Sequence, residues 1–132
     1  MKLLLDTHIW LWYSLGDEQL PADMRRAIAS STNLLYLSPI SIWKTVLLTE
    51  KGTLTLPPDP YLWIDFNLKM LGANEVPVTR AVATLSRQLF CPSQNMADRL
   101  MAATAVHYNL VLVTVDPRLL DTPSLQLFEA VA

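Results

Sequence analysis

Three aspartates, Asp6, Asp98 and Asp116, are the residues best placed to share a chemical task in this chain of 132 residues. Asp6 directly follows an apolar run that is too short for a helix and predicts a buried strand. Asp116 comes just after a second apolar, β-branched run, and Asp98 lies in the first turn of a predicted helix. Ligands of open parallel sheets bind beyond the carboxyl ends of the strands, and a right-handed crossover would bring that helix start to the same edge. We therefore expect the three carboxylates to share one acidic pocket.

Three carboxylates in one pocket repel one another, so at least one would take up a proton unless a cation neutralises the group. Oxygen ligands without histidine or cysteine select Mg²⁺ or Mn²⁺ over zinc. A carboxylate-bound Mg²⁺ orients or deprotonates a water for attack on phosphorus and stabilises the leaving oxygen. The three aspartates therefore predict a metal-dependent nuclease.

Each aspartate also has a purely structural explanation. Asp6 before Thr7 could cap a helix, Asp98 could interact only with a helix dipole, and Asp116 before Pro117 could open an ordinary turn. Taken singly, these structural roles are the commoner ones, and only the joint placement at one sheet edge favours a catalytic role. Composition and spacing alone leave both explanations open.

The elements that must position these residues alternate between strands and helices along the chain. Apolar runs predict strands at Leu3–Leu5, Leu34–Leu37, Glu75–Pro77, Leu110–Thr114 and, at an edge, Leu125–Phe128. Capping residues, prolines and glycines predict six helices. The first three run from a Thr7 cap to Gly16, over Ala22–Ser30 and over Ser41–Gly52. The other three are Tyr61–Leu71 after an Asp59 cap, a helix from a Thr79 cap to Gln88, and Met96–Tyr108 after a Ser93 or Asn95 cap. An extended segment, Leu54–Leu56, is predicted before Pro57–Pro58. This order predicts an α/β fold in which helices cover both faces of a parallel sheet.

The composition is typical of a core-rich globular protein, because hydrophobic residues make up 52% of the chain and charged residues only 17%. The length fits one domain over residues 1–132. A net charge of -2 gives no general basic field, so binding to nucleic acid would need a local patch or a metal ion. The single cysteine excludes an internal disulfide, which fits a reducing, cytoplasmic setting. No apolar run is long enough to span a bilayer, and the first one breaks at Asp6, so we expect no membrane span and no targeting segment.

Other polar and aromatic residues give weaker signals. His8 and His107 lack the spacing of a metal site, and Ser41 is predicted to cap a helix rather than to act as a nucleophile. Arg25–Arg26 and Arg118 could contact phosphates, but a solvated face is the favoured role. Four tryptophans could stack on bases, but their helical spacing favours the core or an interface: Trp10, Trp12, Trp43 and Trp63.

Several segments, in order over almost the whole chain, resemble the motifs of one family. They are Met1–His8, Ser38–Trp43, Lys51–Leu54 with Leu56–Pro57, Ala97–Ala105 and Leu112–Asp116. Together they resemble VapC-type toxins, which are members of the PIN-domain superfamily and act in type II toxin–antitoxin systems.

This resemblance implies a three-layer α/β/α fold with a central, mostly parallel sheet, often assembled as a homodimer. It implies an endoribonuclease that depends on Mg²⁺ (or Mn²⁺), acts on an RNA substrate and is held by a small antitoxin protein. By position, Asp6, Asp98 and Asp116 would be the catalytic and metal-binding residues, supported by Thr7 and Thr114. Arg99, beside the second aspartate, would be structural or would contact phosphate.

Lys44 departs from the family pattern, which has a glutamate directly after the tryptophan of the second motif. The third motif also departs, with Asn95–Met96 where the family has Asp-Pro. On an ordinary helix Lys44 would point to solvent, but the resemblance places it at the pocket, where it would pair with Asp6 or Asp116. At ~4 Å such a pair is worth about 4 kcal/mol at an effective dielectric of 20. We expect Lys44 to repel Mg²⁺ and to weaken or abolish ribonuclease activity, unless it swings away or contacts a phosphate.

Two alternatives to a ribonuclease toxin remain open at this point. The first is a catalytically inactive PIN-fold protein that acts by binding an antitoxin or another protein, which metal binding would discriminate. The second is a metal-dependent nuclease for DNA or a flap structure, which parallel cleavage of RNA and DNA would discriminate.

Overall fold

A five-stranded parallel sheet forms the centre of the computed structural model, which describes residues 1–56 and 59–129. Its strands are β1 (Lys2–Leu5), β2 (Leu34–Leu37), β3 (Asn74–Glu75), β4 (Val111–Val113) and β5 (Gln126–Leu127), in the spatial order β3-β2-β1-β4-β5. All four strand pairs are parallel. The predicted α/β class is confirmed, and the sheet is parallel throughout the described residues rather than only mostly so.

Helices connect successive strands. They are α1 (Thr7–Leu15), α2 (Ala22–Ala29), α3 (Pro39–Glu50), α4 (Pro60–Leu71), α5 (Arg80–Gln88), α6 (Met96–His107) and the short α7 (Pro117–Leu120). In the described part of the chain, no helix is both long enough and apolar enough to cross a membrane.

Alternating side chains of the central strand β1 divide the core into two layers. Leu3 and Leu5 are fully buried in a cluster with Ile9 and Trp10 of α1, whereas Leu4 is buried in a second cluster with Met101 of α6. Successive side chains of a strand point to opposite faces of the sheet, so both faces of β1 are covered. This arrangement confirms the three-layer α/β/α architecture and explains why the strand is apolar throughout.

The chain reverses its direction of progress across the sheet at β1. From β1 it moves to β2 and β3 on one side, and later returns to β4 and β5 on the other. In open α/β sheets the carboxyl ends of strands at such a switch point form the usual ligand crevice. Leu5 pairs with Val113, and the Asp6 amide donates a hydrogen bond to the Val113 carbonyl at 3.0 Å. Residues just after β1 and β4 are therefore side by side.

Several helix ends agree with the sequence predictions. Asp59, Thr79 and Asn95 cap α4, α5 and α6 through their side chains, and Gly16 and Gly72 end α1 and α4 with φ of 67° and 66°. Asn95, rather than Ser93, is the cap of α6. The segment Leu54–Leu56, predicted to be extended, belongs to no helix or strand, and Pro57–Pro58 lie outside the described residues.

Other predicted boundaries were wrong. Helix α1 is capped by Asp6 rather than Thr7, and α3 begins at Pro39 with Ser38 as its cap, not at Ser41. Proline at the first helical position needs no amide hydrogen, so the helix starts there and leaves Ser41 inside its first turn. The third strand is Asn74–Glu75 rather than Glu75–Pro77.

Candidate active site

A pocket of about 500 Å³ lies at the carboxyl ends of β1 and β4. Its charged or ionisable lining residues are the three aspartates together with one histidine, one lysine and one arginine: Asp6, Asp98, Asp116, His8, Lys44 and Arg118. The structure therefore brings the three sequence-predicted aspartates around a common space. It also brings basic groups into the same space.

Asp6 is held by two neighbours at the end of β1. Its Oδ1 accepts a hydrogen bond from the Thr7 amide at 2.8 Å, and its Oδ2 accepts one from the Thr114 hydroxyl at 2.6 Å. Burial raises the pKa of Asp6 above its ordinary value, while these two hydrogen bonds and the charges of Lys44 and His8 act to lower it. The carboxylate is thus fixed in orientation and costly to ionise.

Thr114 connects Asp6 to Asp116. The buried Thr114 hydroxyl donates to Asp6 and accepts a hydrogen bond from the Asp116 amide at 3.1 Å. The Asp116 carboxylate then caps α7, because its Oδ1 accepts from the Arg118 amide at 2.9 Å. One hydroxyl therefore sets the relative position of two of the three aspartates.

Asp98 is buried in the first turn of α6 and is oriented by a serine that the sequence alone did not single out for this task. The Ser93 hydroxyl donates to Asp98 Oδ2 at 2.7 Å, and Ser93 is itself buried. The only sequence signal for this contact was the position of Ser93 shortly before the helix, and that position suits a helix cap equally well. With Asn95 as the cap, the Ser93 hydroxyl is free to bind the carboxylate.

Arg99 points away from the pocket and is structural. Its buried guanidinium donates to four backbone carbonyls, those of Ser86, Leu89, Cys91 and Ser93, at 2.8 to 3.2 Å. These contacts fix the loop that carries Ser93. Arg99 therefore acts on Asp98 through the backbone and not by contacting phosphate.

Thr7 positions α3 rather than contacting an aspartate through its side chain. Its hydroxyl lies 2.9 Å from the hydroxyl of Ser41, and both residues are buried. This contact ties α1 to the first turn of α3, the helix that carries Lys44. The Thr7 side chain thus contacts α3, and the Thr7 amide contacts Asp6.

Lys44 is half-buried and lines the pocket, and its charge lowers the pKa of Asp6. The predicted ion pair with Asp6 or Asp116 is wrong, because across residues 1–56 and 59–129 no carboxylate lies within 4.0 Å of the Lys44 ammonium. Both oxygens of Asp6 already accept hydrogen bonds, and an arginine takes up the pairing with Asp116.

That arginine is Arg118, for which a solvated face was the favoured prediction. Its Nη2 lies 3.6 Å from Asp98 Oδ2, and its Nε lies 3.6 Å from Asp116 Oδ1. One guanidinium thus spans two of the three aspartates while its side chain stays 57% exposed. The exposure agrees with the prediction, but the two contacts were not predicted, because the position of Arg118 depends on α7, which the sequence predicts only as a turn.

Comparison with known proteins gives the family. Residues 3–125 match the family model described as PIN domain. The chain belongs to the PIN domain family. No curated protein matches the sequence of this PIN domain. The resemblance found in the motifs is confirmed at the level of the family.

Solved structures similar to this PIN domain confirm the fold. A chain in the structure of VapBC2 from Rickettsia felis, bound to a DNA fragment from its promoter, has a TM-score of 0.70 at 16% identity, with 97% of this chain and 98% of that chain covered. A chain of FitAcB from Neisseria gonorrhoeae has a TM-score of 0.65 at 21% identity, with 97% of each chain covered. A chain of a toxin–antitoxin complex from Klebsiella pneumoniae has a TM-score of 0.61 at 19% identity, covering 93% of this chain and 94% of that one.

The carboxylates of this PIN domain suit a hard divalent cation, although not as a closed three-ligand cage. Within the described residues, no three His, Cys, Asp or Glu side chains are close enough to hold one metal ion together. Asp98 Oδ1 and Asp116 Oδ2 accept no hydrogen bond from these residues, so both oxygens are available. Mg²⁺ commonly binds one or two carboxylates and keeps several waters, which matches such a pair.

Proposed function

We propose that this PIN domain is an endoribonuclease that depends on Mg²⁺ or Mn²⁺ and is the toxin of a toxin–antitoxin pair. The observation that carries the proposal is the convergence of Asp6, Asp98 and Asp116 on one pocket at the switch point of the sheet. Membership of the PIN domain family supports nuclease chemistry, and similar folds in VapBC2 and FitAcB support the toxin role. We propose a cytoplasmic setting for both the RNA substrate and the antitoxin.

Asp98 and Asp116 would hold the metal through their available oxygens, with Asp6 as the third carboxylate of the set. When bound, the metal supplies a polarised water and offsets the negative charge that develops at phosphorus. Thr114 and Ser93 keep the carboxylates in fixed orientations, which removes the cost of ordering them during the reaction. Lys44 and Arg118 are positioned to bind the phosphate of the substrate, Arg118 by a planar fork and Lys44 as a point charge.

Lys44 and Arg118 have a second consequence, because two positive charges in the pocket oppose binding of a divalent cation. We propose that metal affinity and cleavage are weaker than in an all-carboxylate pocket of this family. The same observation favours one alternative function, a catalytically inactive protein that acts by binding its antitoxin. The two functions differ in whether the protein binds a divalent cation at all.

Cleavage of a mixed-sequence, single-stranded RNA tests the proposal. We expect cleavage with MgCl₂ or MnCl₂, none with EDTA, and none by Asp116→Asn under either condition. A parallel cleavage assay with single-stranded DNA of the same sequence distinguishes a ribonuclease from a DNA nuclease. A protein that binds no Mn²⁺ in calorimetry and cleaves no RNA would support the inactive alternative.

A protein partner is supported by an exposed apolar stripe on α4. Leu62, Phe66 and Met70 follow one another at intervals of four residues, and these residues are 63%, 65% and 71% exposed. Apolar residues at this spacing on an exposed helix face indicate a surface that another protein covers. We propose that the antitoxin or a second copy in a homodimer covers it. The mass of the protein in solution tests for a homodimer. The same measurement after coexpression with the product of an adjacent short reading frame tests for an antitoxin complex.

A further inference from the structure

A second groove, of about 290 Å³, runs beside the acidic pocket between α3 and the start of α6. It is lined by Trp43, Lys44 and Leu47 of α3 and by Lys51, the residue directly after α3, with Met96 and the preceding Asn95 on the other side. Lys44 and Asn95 line the acidic pocket as well. A chain bound in the pocket could therefore continue directly into this groove.

The groove combines one accessible aromatic face with unpaired positive charge. Trp43 is 51% exposed, although tryptophan side chains are on average highly buried in folded proteins. Lys44 and Lys51 are seven residues apart, and because Lys51 keeps a helical backbone conformation as the C-cap of α3, the two lysines lie on the same face. In the described ranges no carboxylate comes within 4.0 Å of either ammonium, and no acidic side chain lines the groove. In a chain of net charge -2, this is a local basic and aromatic patch next to carboxylates.

We propose that this groove binds a nucleotide of single-stranded RNA that flanks the scissile phosphate, an inference that rests on the proposed ribonuclease function. The base stacks on the indole of Trp43, and Lys51 contacts the phosphate that leads away from the pocket. Aromatic side chains interleaved with basic ones are the usual means of binding single strands, because every base has a face that can stack. Lys44, which opposes metal binding, then contributes to substrate binding.

A second copy of the chain fits this surface less well. A two-fold interface places the same patch on both sides of the contact. If the two-fold axis passed through the groove, Lys44 and Lys51 of both copies would lie close together, and no acidic side chain lines the groove to offset their charge. RNA supplies the complementary charge, and a strand that extends from the acidic pocket would enter this groove, because Lys44 and Asn95 line both concavities.

Binding of a short, fluorescein-labelled, single-stranded RNA in EDTA tests the inference without cleavage. We expect Trp43→Ala to weaken binding about tenfold, and Trp43→Phe to retain most of the affinity because it keeps a stacking face. We expect Lys51→Gln to weaken binding and to reduce the slope of log affinity against log salt by about 0.7. The matched controls Tyr61→Ala and Lys69→Gln, exposed residues of α4, should leave both quantities unchanged.

The inference is overturned if Trp43→Ala and Lys51→Gln bind RNA as the natural protein does, or if Trp43→Ala changes the oligomeric mass without changing RNA affinity. The second result would assign the face to a protein interface. Metal-dependent cleavage is scored separately. If the natural protein never cleaves RNA and the groove variants lose RNA binding, the ribonuclease proposal is defeated, while the assignment of the groove as an RNA-binding surface stands.

Discussion

Arg118 and Asp98 approach to 3.6 Å between guanidinium Nη2 and carboxylate Oδ2, although they come from different helices, α7 and α6. The same guanidinium lies 3.6 Å from Asp116. An arginine of the chain itself thus partly neutralises the two carboxylates whose free oxygens suit a metal ion. The side chain is 57% exposed, so the contact is weak and can be exchanged for another cation or for a phosphate.

Arg118→Gln is expected to raise the affinity for Mn²⁺ by about three- to tenfold. The change removes a positive charge beside both carboxylates, and an exposed contact of this kind is worth ~1 kcal/mol or less. Calorimetric titration with MnCl₂ measures the effect, and Arg26→Gln, an exposed arginine of α2, is the control. Equal or weaker Mn²⁺ binding by Arg118→Gln would show that the arginine does not compete with the metal.

Lys44→Glu is expected to raise Mn²⁺ affinity by about tenfold or more and to increase RNA cleavage with it. The substitution changes the charge at the pocket wall by two units, and its distance from the carboxylates keeps the effect below that of a direct ion pair. Lys44→Gln should give an intermediate Mn²⁺ affinity and weaker RNA binding in EDTA, because it removes the phosphate contact without adding a carboxylate. Lys69→Glu on α4 controls for net charge. If the natural protein binds metal and cleaves RNA as well as Lys44→Glu, the proposed inhibitory effect of Lys44 is wrong.

The convergence of the aspartates could be predicted because it depends on long-range rules that the sequence displays. Asp6 follows the one apolar run at the start, Asp116 follows the apolar run near the end, and the sheet edge brings both together. The position of Asp98 at the same edge could be predicted from the right-handed crossover between its helix and the following strand. The position of Lys44 at the pocket came from the resemblance, since nothing in the periodicity of α3 distinguishes it from a solvated lysine.

The parts that could not be predicted depend on short elements and on competition between equivalent side chains. Helix α7 has four residues, which are too few for a periodic signal in the sequence. This short helix nevertheless places the Arg118 guanidinium 3.6 Å from Asp98. From the sequence, Ser93 and Asn95 were equally good candidates for the N-cap of α6. Asn95 takes it, and only the path of the loop held by Arg99 brings the Ser93 hydroxyl to Asp98.

Asp6→Asn is expected to stabilise the fold at neutral pH by roughly 0.5–2 kcal/mol while it abolishes cleavage. Burial raises the pKa of Asp6 above its ordinary value of 3.8, so the folded state holds this proton more tightly than the unfolded state. Ionisation of Asp6 therefore lowers stability as pH rises from below 3.8 through the folded pKa, and the full penalty applies above it. Asparagine avoids that penalty and can still accept from the Thr7 amide.

Urea unfolding of Asp6→Asn and the natural protein at several pH values measures this difference. The gain in the free energy of unfolding should be largest near neutral pH. It should shrink towards acid pH, where the Asp6 carboxyl of the natural protein is protonated in both the folded and the unfolded state. Asp65→Asn, on an exposed part of α4, should show no such pH-dependent gain. A variant that is less stable than the natural protein at neutral pH would mean that the hydrogen bonds to the ionised carboxylate outweigh its burial.

Thr114→Val is expected to reduce cleavage about tenfold or more and to cost ~1–3 kcal/mol of stability. The valine has a similar shape but removes the donor to Asp6 and the acceptor of the Asp116 amide, so two aspartates lose one common support. Loss of the Thr114 hydrogen bond also raises the pKa of Asp6 further, so the acidic limb of the pH–rate profile should move to higher pH. Thr114→Ser keeps the hydroxyl and should retain both the pH profile and most of the activity. If the valine and serine variants have the same pH profile, the threonine acts only through packing.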